Sequence, residues 1–347
     1  MTTLADQARG TGAAAMGSPR FTRDDCDKIH DYVTYASSLP TILQAVEVFV
    51  GYRTAGVAGL EPADLRTLFE RIRSNADDWD PTKDMITQQA TTLLSISDRI
   101  VRSGELLIDA IKALPPYVRA CATVGADLSE LPVGDIPDES FGPADIQGKS
   151  QLAGKMESLQ KINREQVGDT AHAMRLLLNF REGVVALEPV VAGKRLVLKN
   201  SNREKIGNEI TVEPMIAAFQ REYDLAVQSN PRDAAIVEAK RRELDTAIQT
   251  LKSQMEVYRS RQRVTYTMGR LFVHFTELGL VMLDAEMAVT HLWLAWQEAC
   301  VALTNAAEQF DSIDGRRKLL TFLIDFKTII NNWKFVQSRA MELSSVF

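Results

Sequence analysis

The chain is poor in the residues that announce most kinds of site. It has three cysteines in 347 residues, Cys26, Cys121 and Cys300. They are odd in number, far apart and not in a C-x-x-C pair, which excludes a disulfide framework and the usual zinc signatures. Each lies in a helical pattern, where a small apolar residue is the expected role. Four histidines leave few imidazoles for metal or acid–base chemistry. The twelve prolines and nineteen glycines bunch between Gly125 and Gly148, so long stretches elsewhere are free to be helical. Positive charge is in deficit: the net charge of −6 argues against a nucleic-acid binder, which carries a basic face. Uninterrupted apolar runs of ~18 residues are missing, so no ordinary membrane-spanning helix is expected. Met1–Gly17 lacks the basic and apolar regions of a secretory signal.

What the chain has is helical periodicity. Leu152, Met156, Leu159, Ile162 and Val167, then Met174, Leu177 and Leu178, follow an approximate three/four spacing. Leu244, Ile248, Leu251, Met255 and Tyr258 follow it cleanly. Such spacing lines one seam of a coiled coil. Ser229-Asn230-Pro231 lies between the two series and reads as a turn, because proline pushes the preceding residue out of the α region. Residues 150–263 are therefore expected to form a long antiparallel hairpin with its tip near 229–231. Pro189 and Pro214 are expected to kink it, and Arg195–Leu198 and Ile210–Val212 are candidates for short strands. The basic runs Lys240-Arg241-Arg242 and Arg259–Arg263 read as a solvated face.

Before the hairpin, residues 1–20 are small and polar, a tail expected to be disordered. Thr22 with Asp25 spells a capping box, and Phe21 suits the staple position. Pro40 and Pro62 open further helices, Asp80-Pro81 pairs a capping acid with a first-turn proline, and Pro115-Pro116 ends a long helix. Residues 122–149 collect Pro and Gly and read as a linker. After the hairpin, Phe275 through Phe310 mark a long helix. Asp314-Gly315 turns the chain, and Leu319 through Leu343 mark another. The expected fold is all-α: an elongated rod in which the hairpin joins a bundle of N- and C-terminal helices, 21–121 and 264–347.

Several spellings of chemistry lack their context. Gly10-Thr11-Gly12-Ala13-Ala14-Ala15 matches a dinucleotide fingerprint, but no strand precedes it. Gly148-Lys149-Ser150 ends like a phosphate loop, with Pro143 where glycine is needed. Ser158 and Lys161 form an isolated S-x-x-K. His274 with Glu277 and Glu286 with His291 fall short of the paired Glu-x-x-His set of a bundle metal site. No catalytic residue, cofactor or metal is expected.

The ends of the chain resemble a known family. Leu39-Pro40, Phe49, Gly51-Tyr52, Gly59-Leu60-Glu61-Pro62-Ala63-Asp64-Leu65, Trp79 and Ser103-Gly104-Glu105 resemble the N-terminal helices of the alpha-xenorhabdolysin A subunit. Met282-Leu283-Asp284-Ala285-Glu286, Trp296, Phe322, Phe326, Ile329-Ile330 and Trp333 resemble its tail helices. The family belongs with the cytolysin A-like α-pore-forming toxins. The resemblance implies a binary toxin component with a B-type subunit as partner, a hetero-oligomer and contact with host membrane lipid. It also implies a chain soluble before membrane association and secreted without a classical signal; failing that, the bacterial cytoplasm is expected. The family keeps a hydrophobic head between the hairpin arms. Here the tip offers Tyr223, Leu225, Val227, Ser229, Asn230, Pro231, Ile236 and Val237 as candidate membrane or partner contacts. Glu222, Asp224, Arg232, Asp233 and Glu238 are interspersed with them, and each charge costs ~3 kcal/mol or more at a bilayer centre. A non-lytic helical scaffold that kept the hairpin and lost the head is the alternative.

Overall fold

A computed structural model describes residues 21–55, 57–124, 139–165, 170–201, 212–229, 234–258 and 263–347. These residues are helical apart from short connections and one isolated β-bridge, Ser140 to Gly315. The helices are α1 (Arg23–Ser37), α2 (Leu43–Val50), α3 (Pro62–Asp77), α4 (Trp79–Lys112), α5 (Pro115–Val124) and α6 (Pro143–Asn163). They continue as α7 (Thr170–Ser201), α8 (Val212–Ser229), α9 (Ala234–Tyr258), α10 (Arg263–Asp311) and α11 (Arg316–Val346). The all-α expectation is met.

Local chemistry explains several boundaries. The Thr22 hydroxyl accepts from the Asp25 amide, and Asp25 Oδ2 accepts from the Thr22 amide at 2.9 Å, which closes the capping box of α1. Gly51 ends α2 at φ 80°, a left-handed conformation that a Cβ would strain. Pro62 occupies the first turn of α3, where its missing N–H costs no ladder bond.

Other boundaries differ from expectation. Helix α4 starts at Trp79, so Pro81 lies within its first turn rather than opening it after an Asp80 cap. Helix α4 ends at Lys112, and Pro115 opens α5 instead of only closing what precedes it. The linker is shorter than 122–149, because Pro143 opens α6. The first arm of the hairpin is segmented: α6 ends where the Arg164 amide donates back to the Gln160 carbonyl, and α7 and α8 follow. Residues 190–201 are helix, so Arg195–Leu198 is not a strand. Their stripe Val184, Leu187, Val191, Arg195 and Leu198 is buried at three/four steps. Pro189 sits inside α7, and Pro214 falls in the first turn of α8, where no ladder hydrogen bond is lost. Ile210 and the Gly10–Ala15 fingerprint lie outside the described residues.

The described residues divide into two compact units. One comprises Thr87–Thr170 and Val289–Ser345. In it Gly104 of α4 lies so close to Ile330 of α11 that an added Cβ would meet Cδ1 at 2.1 Å. Phe322 stacks on Phe326 and meets Phe310 at a tilt, and Lys149 Nζ donates to the Asp311 and Ile313 carbonyls at 2.6 and 2.8 Å. Lys149 thus closes the free carbonyls where α10 ends, which accounts for the lysine of the loop-like spelling.

The other unit comprises Ala15–Ile86, Ala171–Ala288 and Val346–Phe347. Tyr32 of α1 donates to Asn75 Oδ1 of α3 at 2.8 Å, and Asn75 Nδ2 donates to the Phe180 carbonyl of α7 at 3.0 Å. Phe347 stacks on Phe21 at 4.8 Å and meets Trp79 at 6.0 Å. Helix α10 supplies residues to both units and is apolar on several sides. An 18-residue window of it reaches a mean hydropathy of 1.4, and half of that window is buried. It therefore has the length and composition to cross a membrane, contrary to the expectation from uninterrupted runs. A core helix packed on more than one side has the same composition.

Candidate functional site

The candidate site is the hairpin formed by α8 and α9, with the surface on which it sits. Both helices carry a seam. On α8, Ile216, Tyr223 and Ala226 are buried, with Phe219 half-buried between them. On α9, Leu244, Ile248 and Leu251 of the clean series are buried, and Ala247 with them; the side chains of Met255 and Tyr258 lie outside those described. Val273 and Leu280 of α10 complete the cluster, so the hairpin packs on the first half of α10. Each large side chain taken out of water there is worth ~1.5–3 kcal/mol.

The sequence-selected tip residues part company here. Tyr223 is 1% exposed and belongs to the core. Val227 and Val237 are half-buried against the cluster. Leu225 at 60% and Ile236 at 44% face outward, and Ser229 is exposed at the end of α8. Asn230 and Pro231 lie outside the described residues. Lys240 of α9 ties the arms together, 2.6 Å from Glu222 of α8.

Behind the apolar seam is a buried polar cluster. Arg241 pairs with Asp284 of α10 and, at 3.1 Å, with Asp25 of α1. Tyr223 O–H points at Asp284 Oδ1, 3.4 Å away. Asp25 serves twice: Oδ2 caps α1, while Oδ1 accepts from Arg241 and from Lys28 at 3.2 Å. Burial drives Asp284 up to about 6, against the pull of the Arg241 guanidinium. Asp245 and Glu277 are also raised by burial, with Lys28 and Arg241 opposing at Asp245 and Lys252 opposing at Glu277.

The solvated-face expectation for Lys240-Arg241-Arg242 therefore fails at its middle residue. Arg241 was legible from register: it lies three residues before Leu244, on the extension of the same seam. A basic neighbour on either side hid it.

The remaining candidate chemistries resolve into packing. His274 lies between aromatic rings, 6.3 Å from Tyr32 and 5.5 Å from Tyr35. Burial, then the nearby Arg270 and Lys252, hold its imidazole down to about 3. Glu277 pairs with Lys252 at 2.5 Å, and Glu286 pairs with Arg181. Ser158 donates to the Gly154 carbonyl of its own helix. Among the described residues, no three His, Cys, Asp or Glu side chains converge as a metal would need. The three cysteines are free and half-buried.

No protein-family model and no curated protein matches the sequence. Solved structures do. The Bacillus cereus HblL1 toxin component aligns with a TM-score of 0.52 at 12% identity, over 95% of this chain and 96% of that one. YaxA from Yersinia enterocolitica aligns with a TM-score of 0.48 at 23% identity, over 94% and 97%. XaxA from Xenorhabdus nematophila gives 0.46 at 22%, over 95% and 97%. The chain shares its helical fold with the HblL1 toxin component over nearly the whole of both chains.

Proposed function

We propose that this chain is the A-like component of a two-part α-pore-forming system and assembles with a B-type helical subunit at a target membrane. The observation that carries the proposal is that the two halves of the family-like residue set come together. Gly104, at the end of the N-terminal half of the set, lies against Ile330 of the tail helices, and next to it Glu105 pairs with Lys334 at 2.7 Å. Residues 226 positions apart that resemble one family thus form one contact. The fold shared with the HblL1 toxin component supports the same reading.

In this reading the chain is released in soluble form, and the hairpin α8–α9 is its contact element. Leu225 and Ile236 are the apolar residues its described surface presents near the tip. A non-lytic scaffold is the second reading. It is favoured by the charges beside those two residues, Glu222, Asp224 and Glu238, and by the Lys240–Glu222 pair across the arms. Charges so placed oppose insertion of the hairpin as it stands.

Leakage of dye-loaded vesicles separates the readings, with the chain added alone and together with a candidate B-type subunit, the product of a neighbouring gene. Leakage that needs both proteins is the expected result, reduced at least ~tenfold by Leu225→Asp with Ile236→Asp, a loss of more than ~1.4 kcal/mol of association. A complex with the B-type subunit that leaves vesicles intact selects the scaffold. Neither leakage nor a complex overturns both.

A further inference from the structure

Helix α2 is apolar on nearly every side: Glu47 is the one charged residue between Ile42 and Val50. A helix of that kind belongs in a core. Yet α2 packs through Val46, which is buried, and through Phe49, edge-on to Phe69 of α3 at 5.9 Å. Ile42 at 71% and Val48 at 73% are the most exposed large apolar side chains among the described residues, and Leu43 is 38% exposed beside them. The loop after α2 is tied inward. Tyr52 O–H donates to the Leu60 carbonyl at 2.8 Å, the Ala55 amide donates to the Glu61 carboxylate at 3.0 Å, and Lys194 of α7 donates to the Gly59 carbonyl. Arg53 is left with its side chain 91% exposed, 3.9 Å from Glu47 at the outer limit of an ion pair. Helix α1 runs antiparallel to α10, with Tyr32 beside Phe275 and Tyr35 under the Arg270 guanidinium. The end of α1, the start of α2 and the exposed Arg263 that begins α10 therefore share one end of the unit.

We propose that this end is a lipid-resting surface: Ile42, Leu43 and Val48 enter the headgroup layer of an anionic membrane, while Arg53 and Arg263 meet its phosphates. The inference adds a lipid contact, away from the α8–α9 turn, to the proposed function and rests on that reading for the presence of a target membrane.

Area and charge select this occupant. An eight-residue helix is ~12 Å long and ~10 Å wide, so the outer face of α2 offers about 120 Å². That is far below the ~800 Å² each partner gives to a stable protein interface. A lipid layer needs no matching surface. Aliphatic side chains on a convex helix enter it one by one, and arginines at the rim are drawn to anionic headgroups. The acids nearest Arg53 are engaged, Glu47 with Arg53 itself and Glu61 with the Ala55 amide, so they set little repulsion against such a layer. Three aliphatic side chains give weak, reversible attachment, which strengthens when several copies share one membrane.

Co-sedimentation of the full chain with phosphatidylcholine vesicles, with and without phosphatidylserine, tests the surface. The chain is used alone, whereas leakage is read with the B-type subunit, so this inference and the proposed function can fail separately. The expected result is attachment that phosphatidylserine strengthens, reduced at least ~tenfold by Ile42→Asp with Val48→Asp and ~fivefold by Arg53→Gln. These side chains face water, so helical content stays unchanged. No attachment of the natural chain, equal attachment of the double variant, or attachment indifferent to phosphatidylserine overturns the proposal. A natural chain that ignores vesicles, with a double variant that loses its complex with the B-type subunit, makes the patch a protein contact and overturns it too. If the double variant fails to fold, Val48→Trp decides: quenching of its added emission by brominated lipid supports the surface, and unchanged emission overturns it.

Discussion

Two residues show how little slack the packing holds. Asn75 accepts from Tyr32 and donates to the Phe180 carbonyl, so one amide joins α1, α3 and α7. Gly183 makes room for it: an added Cβ would come within 2.2 Å of Asn75 Nδ2. Gly183→Ala should displace that amide and break both hydrogen bonds, costing about 1–3 kcal/mol in urea unfolding. Combined with Asn75→Ala it should cost clearly less than the sum of the two, because both changes remove the same contacts. Arg241→Ala should cost more, about 3–5 kcal/mol near neutral pH, because Asp25 and Asp284 lose their shared guanidinium. The capping role of Asp25 was legible in the Thr22–Asp25 spacing. Its second oxygen, turned towards Arg241, was not, since nothing local links residues 216 positions apart. Tyr223 misled for a related reason: polar neighbours on a helix do not reveal which face a tyrosine takes.

At the scale of elements, sequence periodicity was a sound guide where the apolar residues were large. Leu244, Ile248 and Leu251 of the α9 series are buried, and Leu244→Ala there should cost about 2–5 kcal/mol, measured as a shift in the denaturation midpoint. Leu225→Asp, outward-facing on α8, should change stability by less than ~0.5 kcal/mol. This contrast separates the buried seam of the hairpin from its outer face. Periodicity was weaker on α7, where Ala173, Phe180 and Arg195 share the buried stripe with Val and Leu. A small residue and a charged one at seam positions dilute the pattern. Arg195 keeps its place by laying its guanidinium over the Phe272 ring, 4.9 Å from the centroid. Pro62 opens a helix as expected, but Pro115, Pro143 and Pro214 were over-read as stops, linker or kink: each sits in a first turn and marks a beginning.

For the whole molecule, acid should act on unfolding through His274. Its imidazole is held at about 3 in the folded chain, well below its ordinary value, so the unfolded chain takes up a proton first as pH falls. The stability this neutral ring provides is present above ~6.5 and is lost progressively below that. Melting curves at about pH 7.5 and pH 5 should show a smaller drop in Tm for His274→Phe than for the natural protein. The helical class was legible because almost every stretch carried a period of three and four. The division into two units was not, because each draws on stretches far apart in the chain.

That last feature bears on how the protein is made. Helices α1 and α3 find their partners in α7 and in the first half of α10, the latter complete near residue 288. A ribosome adding about 5–20 residues per second needs roughly 10–40 s to move from the end of α3 to that point. Until that point the early helices can meet one another and then α7, but the face of α1 shaped for α10 has no partner. Synthesis therefore passes through a window in which a chaperone or a premature neighbour has first access to it.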